Sequence, residues 1–408
     1  MKKQFLLSLG LAPVAAMAFQ IGAWVGGPGQ YPQPTKENVQ AFQDLQGYHL
    51  DLISQFIIFD VNDWEHTKQY ADVAKENGST LVITWMPNGH TAQGIVDGDA
   101  DDYIRDYAKG VKSYGEELWL RPLHEANGDW YDWGVGKKDA GNTDANVAEA
   151  FRHIVNIFRE ENVTNVKWVW TTNSSNQGSG TTFTGNYPGD DYVDYISIDG
   201  YNWGKSQDWS NWQSFTQVFR ASYKALENIN KPLFIAEISS SELGGDKAAW
   251  ITDMFEQFKG EFSRVFAVMW FSQSKDYEGD WALNTSDAAV EAWKAGIASM
   301  LGSDVQSSSS LQNVTQSSSS EQSAVNPQSS SSENSMGVTA AETVHQKMSL
   351  RDGKVYMQLD HALRASVVQM DYMGRILWKS PVQNFSAGEH VVDIPQNNAR
   401  TLVRLVIQ

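Results

Sequence analysis

Residues 120–134 read Leu-Arg-Pro-Leu-His-Glu-Ala-Asn-Gly-Asp-Trp-Tyr-Asp-Trp-Gly. The run from Leu118 to Leu123 has a strand-like pattern, and a His-Glu pair, a Gly-containing turn and three aromatic residues follow it. A carboxyl group at a strand end, beside flat aromatic faces, suits the binding of a sugar ring and the protonation of a glycosidic oxygen. The alternative is a surface Glu after an ordinary strand, with Trp130 and Trp133 in the core.

Strand and helix patterns alternate between about residues 20 and 302. Eight apolar runs predict strands, at 21–25, 56–59, 81–85, 118–123, 166–171, 192–198, 233–236 and 265–271. Helical patterns lie between and after them, at 35–45, 64–75, 102–114, 144–160, 212–227, 246–259 and 286–300. This order predicts an α/β fold, a (β/α)8 TIM barrel. A doubly wound open sheet is the rival, and it is disfavoured because no Gly-rich phosphate loop follows the first strand.

Two glutamates end predicted strands of this barrel, where TIM-barrel active sites lie. The fourth strand ends at Glu125, and the seventh ends at Glu237 in Lys-Pro-Leu-Phe-Ile-Ala-Glu-Ile-Ser. Asp199-Gly-Tyr-Asn-Trp follows the sixth strand and Trp270 ends the eighth. Retaining glycosidases need two carboxyl groups, one ionised to attack the anomeric carbon and one protonated to give its proton to the leaving oxygen. The pair therefore predicts a glycosidase site.

Composition excludes several other classes of function. The formal net charge is −18, which argues against nucleic acid and against an anionic polysaccharide, and which suits a neutral glycan. The chain has no Cys, so thiolate catalysis and thiolate metal sites are excluded. No His, Asp and Glu spacing matches a catalytic metal site, and we expect no cofactor and no metal. A monomer is expected.

The ends of the chain predict export and a second module. Residues 1–18 read as a signal peptide, with Lys2 and Lys3, a short apolar run and Ala-Met-Ala, and no later run is apolar enough to span a membrane. The catalytic barrel then occupies 19–302. Residues 303–341 contain three Ser clusters and no aromatic residue, which indicates a flexible linker. Residues 342–408 predict a small β-sandwich module, with strands at 354–359, 365–371, 390–394 and 402–407.

The three strand-end motifs together resemble those of glycoside hydrolase family 26, over about residues 20–302. Arg-Pro-Leu-His-Glu-Ala-Asn-Gly-Asp-Trp resembles the acid/base motif, Phe-Ile-Ala-Glu-Ile the nucleophile strand and Asp-Gly-Tyr-Asn-Trp the sixth strand. The resemblance implies that Glu125 is the general acid/base and Glu237 the nucleophile. It implies that Tyr201 hydrogen-bonds Glu237 and that His124 orients groups beside Glu125.

The resemblance also implies substrate contacts. Trp130 and Trp270 would form faces of the subsites that flank the cleaved bond. Trp85 and His90 would line the glycone side, although Trp85 is equally consistent with a core aromatic and His90 with an exposed loop residue. Trp203 is either a stacking surface or a plug under its loop. Arg121 is expected to position a carboxylate rather than to touch sugar.

The family is best known for endo-β-1,4-mannanases, so a secreted retaining mannanase acting on plant cell-wall mannan is the first expectation. A mixed-linkage β-1,3-1,4-glucanase is the second, because residues 236–251 resemble the glucanase-like branch. A barrel that binds glycan without cleaving it is the third expectation. The first two expectations differ in the polymer from which sugar is released, and the third predicts that no sugar is released.

Residues 342–408 resemble the C-terminal sorting domains of type IX secretion, through 367–378, 386–394 and the terminal strand. The resemblance implies contact with secretion machinery and a secreted or cell-surface protein of a Gram-negative bacterium. The rival is a carbohydrate-binding module, which is disfavoured because the module offers few large aromatics, Trp378, Tyr356 and Tyr372.

Overall fold

The structure is a computed structural model, and it describes residues 18–25, 33–275, 278–302, 346–351, 354–359, 362–370, 376–381, 383–393 and 402–407. The chain divides into two units, Met1–Gln306 and Ser307–Gln408. The predicted signal-peptide core and the Ser-rich linker lie outside the described residues. Within the described residues, no helix has the length and apolar composition needed to cross a membrane.

The first unit contains a closed barrel of eight parallel strands. They are β1 (Gln20–Val25), β2 (Leu52–Ile58), β3 (Thr80–Met86), β4 (Leu118–Pro122), β5 (Val166–Asn173), β6 (Tyr195–Asn202), β7 (Leu233–Ser240) and β8 (Val265–Ser272). Each strand pairs with the next, and β8 pairs with β1 from Gln20 opposite Ala267 onward. Closure of the sheet confirms the predicted (β/α)8 barrel and excludes the open-sheet rival.

Helices surround the barrel. They are α1 (Lys36–Gln46), α2 (Trp64–Asn77), α3 (Ala92–Val96), α4 (Asp101–Tyr114), α5 (Asp144–Glu160), α6 (Phe215–Ala225), α7 (Lys247–Lys259) and α8 (Asp287–Leu301). Their ends follow local chemistry: the Thr143 side chain caps α5 in a reciprocal capping box with Asn146, and α1 ends at Gly47 in the left-handed conformation. The short helix α3 was not predicted.

Among the described residues, two apolar clusters lie in the barrel region. One joins buried side chains of six strands, among them Leu52, Val82 and Phe234. The second lies at the carboxyl ends of the strands, where Trp24 and Phe271 pack with Trp281. Burial of these strands on both faces explains why their sequences read as nearly continuous apolar runs. The second cluster forms the aromatic wall of the barrel mouth.

Strands β6 and β7 extend beyond their predicted ends into polar residues. Glu237 therefore lies inside β7 and pairs in register with Asp199 of β6, next to an irregularity between Ile198 and Asp199. Glu125, by contrast, lies three residues beyond the end of β4 at Pro122. Glu237 thus reaches the barrel mouth from a strand, and Glu125 from the loop after a strand.

A two-stranded hairpin, β9 (Ser274–Lys275) and β10 (Gly279–Asp280), follows the barrel sheet. The described residues of the second unit form β-strands and no helix, which confirms the predicted class of the C-terminal part. Its strands are β11 (Gln346–Arg351), β12 (Lys354–Leu359), β13 (Leu363–Met370), β14 (Ile376–Lys379), β15 (Gln383–Phe385), β16 (Gly388–Asp393) and β17 (Leu402–Ile407). They form two sheets, β11-β12-β16 and one in which β13 pairs with β14, β15 and β17.

Candidate active site

The backbone around Glu125 is held in an uncommon conformation. Leu123 and Glu125 have φ angles of 53° and 55°, in the left-handed region that side-chain-bearing residues seldom adopt. The Glu125 N–H donates to the Thr171 carbonyl at 3.2 Å, and the Gly128 N–H donates to the Glu125 carbonyl at 2.9 Å. Such positions cost on the order of 1–3 kcal/mol each and persist where their surroundings fix them. This backbone conformation directs the Glu125 carboxyl group into the barrel mouth.

The Glu125 carboxyl group is buried and doubly hydrogen-bonded. Trp130 donates its indole N–H to Oε2 at 2.9 Å, and Asn173 donates its amide to Oε1 at 2.7 Å. Burial and the nearby Glu237 raise the pKa of Glu125 to about 7, against the opposing effect of these hydrogen bonds. A carboxyl group with this pKa holds a proton near neutral pH, as a general acid must.

Glu237 has a different environment. It accepts a hydrogen bond from the Tyr201 hydroxyl at 2.7 Å on Oε2, and the Arg121 guanidinium contacts its Oε1. Burial alone would lower the pKa of Arg121, but Asp199 and Glu237 raise it, so the guanidinium stays charged. A fixed positive charge and a hydroxyl donor thus both contact this carboxylate. This arrangement suits an ionised nucleophile.

Arg121 is the centre of a buried network. Its Nη1 donates to Asp199 Oδ2 at 2.5 Å and its Nη2 to the Thr84 hydroxyl at 2.7 Å. Arg121 and Asp199 are 1% and 0% exposed, so neither side chain can reach bulk water. Burial raises the pKa of Asp199, and the charge of Arg121 opposes this effect. The geometry agrees with the expectation that Arg121 positions a carboxylate.

His124 lies behind Glu125 rather than on an open surface. Its ring is buried, and its Nε2 is 3.0 Å from the Tyr131 hydroxyl, while the Trp133 indole donates to its carbonyl at 2.9 Å. Burial, and then the charge of Arg121, hold the pKa of His124 well below its usual range, so the ring is neutral. His124 and Trp133 thus shape the loop that carries Glu125, and the partly exposed Trp130 faces its carboxyl group.

The expectation that Trp270 is a subsite face is wrong. Trp270 is 0% exposed, its indole donates to the Trp281 carbonyl at 2.9 Å, and its ring packs against Trp293 of α8 with centroids 5.2 Å apart. Side chains alternate between the two faces of a strand, so Trp270 points outward to the helices. The next residue, Phe271, lies in the barrel-mouth cluster against Tyr201.

Replacement of Trp270 with Ala is therefore expected to destabilise the barrel. Removal of a fully buried indole leaves a cavity and should lower the free energy of unfolding by about 3–5 kcal/mol. Trp209→Ala, at a position that is 68% exposed, is the matched control and should cost less than about 1 kcal/mol. Chemical denaturation of the three proteins measures the difference. Wild-type stability combined with lost catalysis in Trp270→Ala would restore the substrate role.

Trp85 is also in the core. It is 0% exposed, and its ring lies 4.4 Å from Phe59 and 4.6 Å from Tyr107, centroid to centroid. This placement corrects the glycone-side expectation and matches the core alternative. His90 remains at the mouth, partly exposed, with Nε2 2.8 Å from Asp60. Trp203 is partly exposed and packs on Trp281, so both His90 and Trp203 can face substrate.

Three residues of the site were not among the candidate site residues predicted from the sequence: Asn173, which contacts Glu125, and Thr84 and Asp199, which contact Arg121. Each lies near the carboxyl end of a strand, which is the signal that could have found them. Among the described residues, no group of three or more His, Asp or Glu side chains is arranged to hold a metal ion.

The pKa of Glu125 predicts a pH profile. Because this acid must be protonated, kcat/KM should fall as pH rises through about 7. The Trp130 indole lowers that pKa, so Trp130→Phe, which keeps the ring and removes the donor, should move the alkaline limb to higher pH. Trp133→Phe loses a donor to the His124 carbonyl instead and is the matched control. If the alkaline limb stays at the same pH in Trp130→Phe, the group that titrates in that limb is not Glu125.

Comparison with known proteins points to a family of glycoside hydrolases. Residues 96–296 match the family model described as glycosyl hydrolase family 26. Endoglucanase H of Acetivibrio thermocellus is 47% identical over 310 residues, which cover 73% of this chain and 34% of that protein. A mannan endo-1,4-β-mannosidase of Bacillus subtilis is 27% identical over 208 residues, 47% of this chain and 51% of that protein. The chain thus spans about a third of endoglucanase H and half of the mannosidase.

Solved structures share the barrel. The catalytic domain of a family 26 endo-β-1,4-mannanase from Bacillus sp. JAMB-750 superposes with a TM-score of 0.54 at 17% identity, over 70% of this chain and 86% of that chain. A family 26 β-mannanase from Bacteroides ovatus gives a TM-score of 0.51 at 13% identity, over 70% and 90% of the two chains. At this identity the likeness concerns the fold.

Proposed function

We propose that this chain, whose barrel belongs to glycoside hydrolase family 26, hydrolyses internal bonds of a neutral β-glycan with retention of anomeric configuration. The observation that carries the proposal is the contrast between two buried carboxyl groups at one barrel mouth. Glu125 has a pKa of about 7, and Glu237 contacts the charged Arg121 and the Tyr201 hydroxyl. Two carboxyl groups held in opposite roles are what a double displacement requires.

The first step forms a covalent intermediate. A carboxylate oxygen of Glu237 attacks the anomeric carbon as the bond to the leaving oxygen breaks, and Glu125 transfers its proton to that oxygen. In the second step Glu125, now ionised, takes a proton from a water molecule whose oxygen attacks the same carbon. The ester to Glu237 then breaks, and both carboxyl groups return to their starting states.

We favour a β-glucan over mannan as the substrate, which reverses the order expected from the sequence. The similarity to a protein named endoglucanase is 47% over 73% of this chain, whereas the similarity to the Bacillus subtilis mannosidase is 27% over 47%. Mannan stays the second candidate, because four further relatives also carry the mannosidase name. A mixed-linkage β-1,3-1,4-glucan is the glucan that we expect.

A panel of purified polymers tests this ranking. Reducing-sugar release from lichenan, glucomannan, mannan and β-1,3-xylan should be greatest on lichenan, with internal cleavage visible as a rapid fall in viscosity. Faster release from mannan would favour the second candidate. Tight binding without release from any polymer would favour the non-catalytic alternative.

Export remains part of the proposal. Residues 1–18 would direct the chain across the inner membrane, and the all-β unit would engage a secretion apparatus of the type IX kind, placing the enzyme at the cell surface or in the medium. A chain that ends at Gly302 should then stay in the periplasm of the native host. Normal export of that shorter chain, with loss of action on insoluble glycan alone, would instead identify the all-β unit as a binding module.

A further inference from the structure

The loop between β6 and α6 presents an exposed tryptophan at the barrel mouth. Trp209 is 68% exposed, more than any other large hydrophobic side chain in the described ranges, and Leu243 of the neighbouring β7–α7 loop is 56% exposed. The two loops touch, since the Lys205 N–H donates to the Leu243 carbonyl at 2.7 Å. Most of this indole surface thus faces solvent on the active-site side of the barrel.

The loop that carries Trp209 is tightly held. The Asn202 side-chain oxygen accepts from the backbone N–H groups of Gly204 at 3.3 Å and Gln213 at 3.0 Å, and so joins the two ends of the loop. The Ser210 hydroxyl donates to the Gly204 carbonyl at 2.8 Å, one residue from the indole. A ring on such a loop loses little freedom when a ligand binds, which favours affinity.

A continuous set of aromatic rings joins this indole to the catalytic pair. Tyr201, which donates to Glu237, lies 6.4 Å from Trp203 between ring centroids, and Trp203 lies 5.1 Å from Trp209. The Trp281 ring packs edge-to-face against Trp203, with ring centroids 5.0 Å apart. The rings therefore lead outward along the mouth from the nucleophile to the exposed Trp209.

We propose that Trp209, with Trp203 beside it, forms an outlying subsite that stacks on a sugar ring of the glycan beyond the subsites that flank the cleaved bond. The inference rests on the proposed function and specifies where the polymer runs. The apolar C–H face of a pyranose matches an indole, and the exposed amide side chain of Asn211 close by in the loop can hydrogen-bond a sugar hydroxyl group.

A protein partner fits this surface less well. Specific protein interfaces bury about 800 Å² on each partner around an apolar centre, whereas Trp209 stands between Asp208 and the polar Ser210 and Asn211, all outside the core. The continuity with the aromatic rings of the active site favours the same substrate chain as the occupant.

The test compares long and short substrates of whichever panel polymer the full-length wild-type protein cleaves. Trp209→Ala should lower kcat/KM on the polymer and on its hexasaccharide by about threefold to tenfold, through KM, since an aromatic stacking contact has about this weight. An aryl disaccharide, whose sugars reach no further than the second position from the cleaved bond, should be cleaved at the wild-type rate. Trp209→Phe should recover most of the loss. Tyr356→Ala, which removes an exposed aromatic from the other unit, should leave cleavage of the hexasaccharide unchanged.

Several results would overturn the inference. Equal losses on long and short substrates would indicate a structural role, and no loss on the hexasaccharide would remove the subsite. An oligomer in wild-type sedimentation that Trp209→Ala dissociates would assign the surface to a second copy of the chain. If the wild-type protein cleaves no polymer, the proposed function fails instead. In that case, calorimetric titration of the wild-type protein and Trp209→Ala with cello-, manno- and mixed-linkage hexasaccharides still tests the subsite. Weaker binding by Trp209→Ala than by the wild type supports it. Equal binding by the two proteins, or no binding by either, contradicts it.

Discussion

Replacement of Glu237 with Gln is expected to abolish turnover on every glycan, by on the order of 10⁴-fold or more, because no other group can form the glycosyl ester. The amide keeps the shape of the carboxyl group; its oxygen can still accept from Arg121 and its NH2 group can donate to the Tyr201 hydroxyl oxygen, so the barrel should stay folded. Initial rates on the polymer and on an activated aryl glycoside measure the loss. Both substrates should suffer alike, since both need the nucleophile.

The exposed Glu227 provides the control, since Glu227→Gln makes the same chemical change outside the site and should keep full activity. Far-UV circular dichroism and thermal melting should match wild type for both variants. A Glu237→Gln protein that is folded and retains more than a small fraction of wild-type activity would remove Glu237 from the nucleophile role.

Replacement of Glu125 with Ala should separate substrates by their leaving groups. Cleavage of the polymer, whose leaving oxygen needs a proton, should fall by about 10²–10⁴-fold, the usual contribution of a general acid. An aryl glycoside with an acidic phenol needs no proton, so its glycosyl–enzyme should still form and then accumulate. Steady-state and burst kinetics on the two substrates measure this contrast.

Added azide supplies the second half of the Glu125 test. Azide needs no general base, so it should attack the accumulated intermediate, raise the turnover of the aryl glycoside and yield a β-glycosyl azide. A product of inverted configuration, or the same loss on both substrates without azide rescue, would contradict the assignment of Glu125 as acid/base.

The barrel and the placement of Glu125 and Glu237 in it could be predicted from the sequence. Strands buried on both faces read as apolar runs, and carboxylates at their carboxyl ends interrupt the pattern where a TIM barrel has its active site. The ends of β6 and β7 were harder to predict, because their last residues are polar and yet stay paired in the sheet, as Asn202 and Ser240 do.

The sequence could not predict whether an aromatic residue in a strand faces the barrel interior or the surrounding helices. Trp270 and Phe271 are adjacent, both buried and both apolar, and one residue of register decides which reaches the mouth. Trp85 raised the same ambiguity. The partners Asn173 and Asp199 come from strands β5 and β6, and only closure of the barrel brings them to Glu125 and Arg121.

The left-handed backbone at Leu123 and Glu125 also left no trace in the sequence, since neither residue is Gly or Asn. Tertiary contacts impose this conformation, among them the hydrogen bond to the Thr171 carbonyl. Sequence patterns report local preference, and a strained functional position is one where the surroundings override that preference.

Identification of the residue that becomes glycosylated tests the central claim most directly. A 2-deoxy-2-fluoro glycoside with a good leaving group should form the ester quickly and release it slowly, because the fluorine destabilises both transition states and the leaving group compensates only in the first. Mass spectrometry of the digested wild-type protein should then find one fluoroglycosyl group, on Glu237. Attachment to any other residue, or inversion of anomeric configuration without a covalent adduct, would contradict the account.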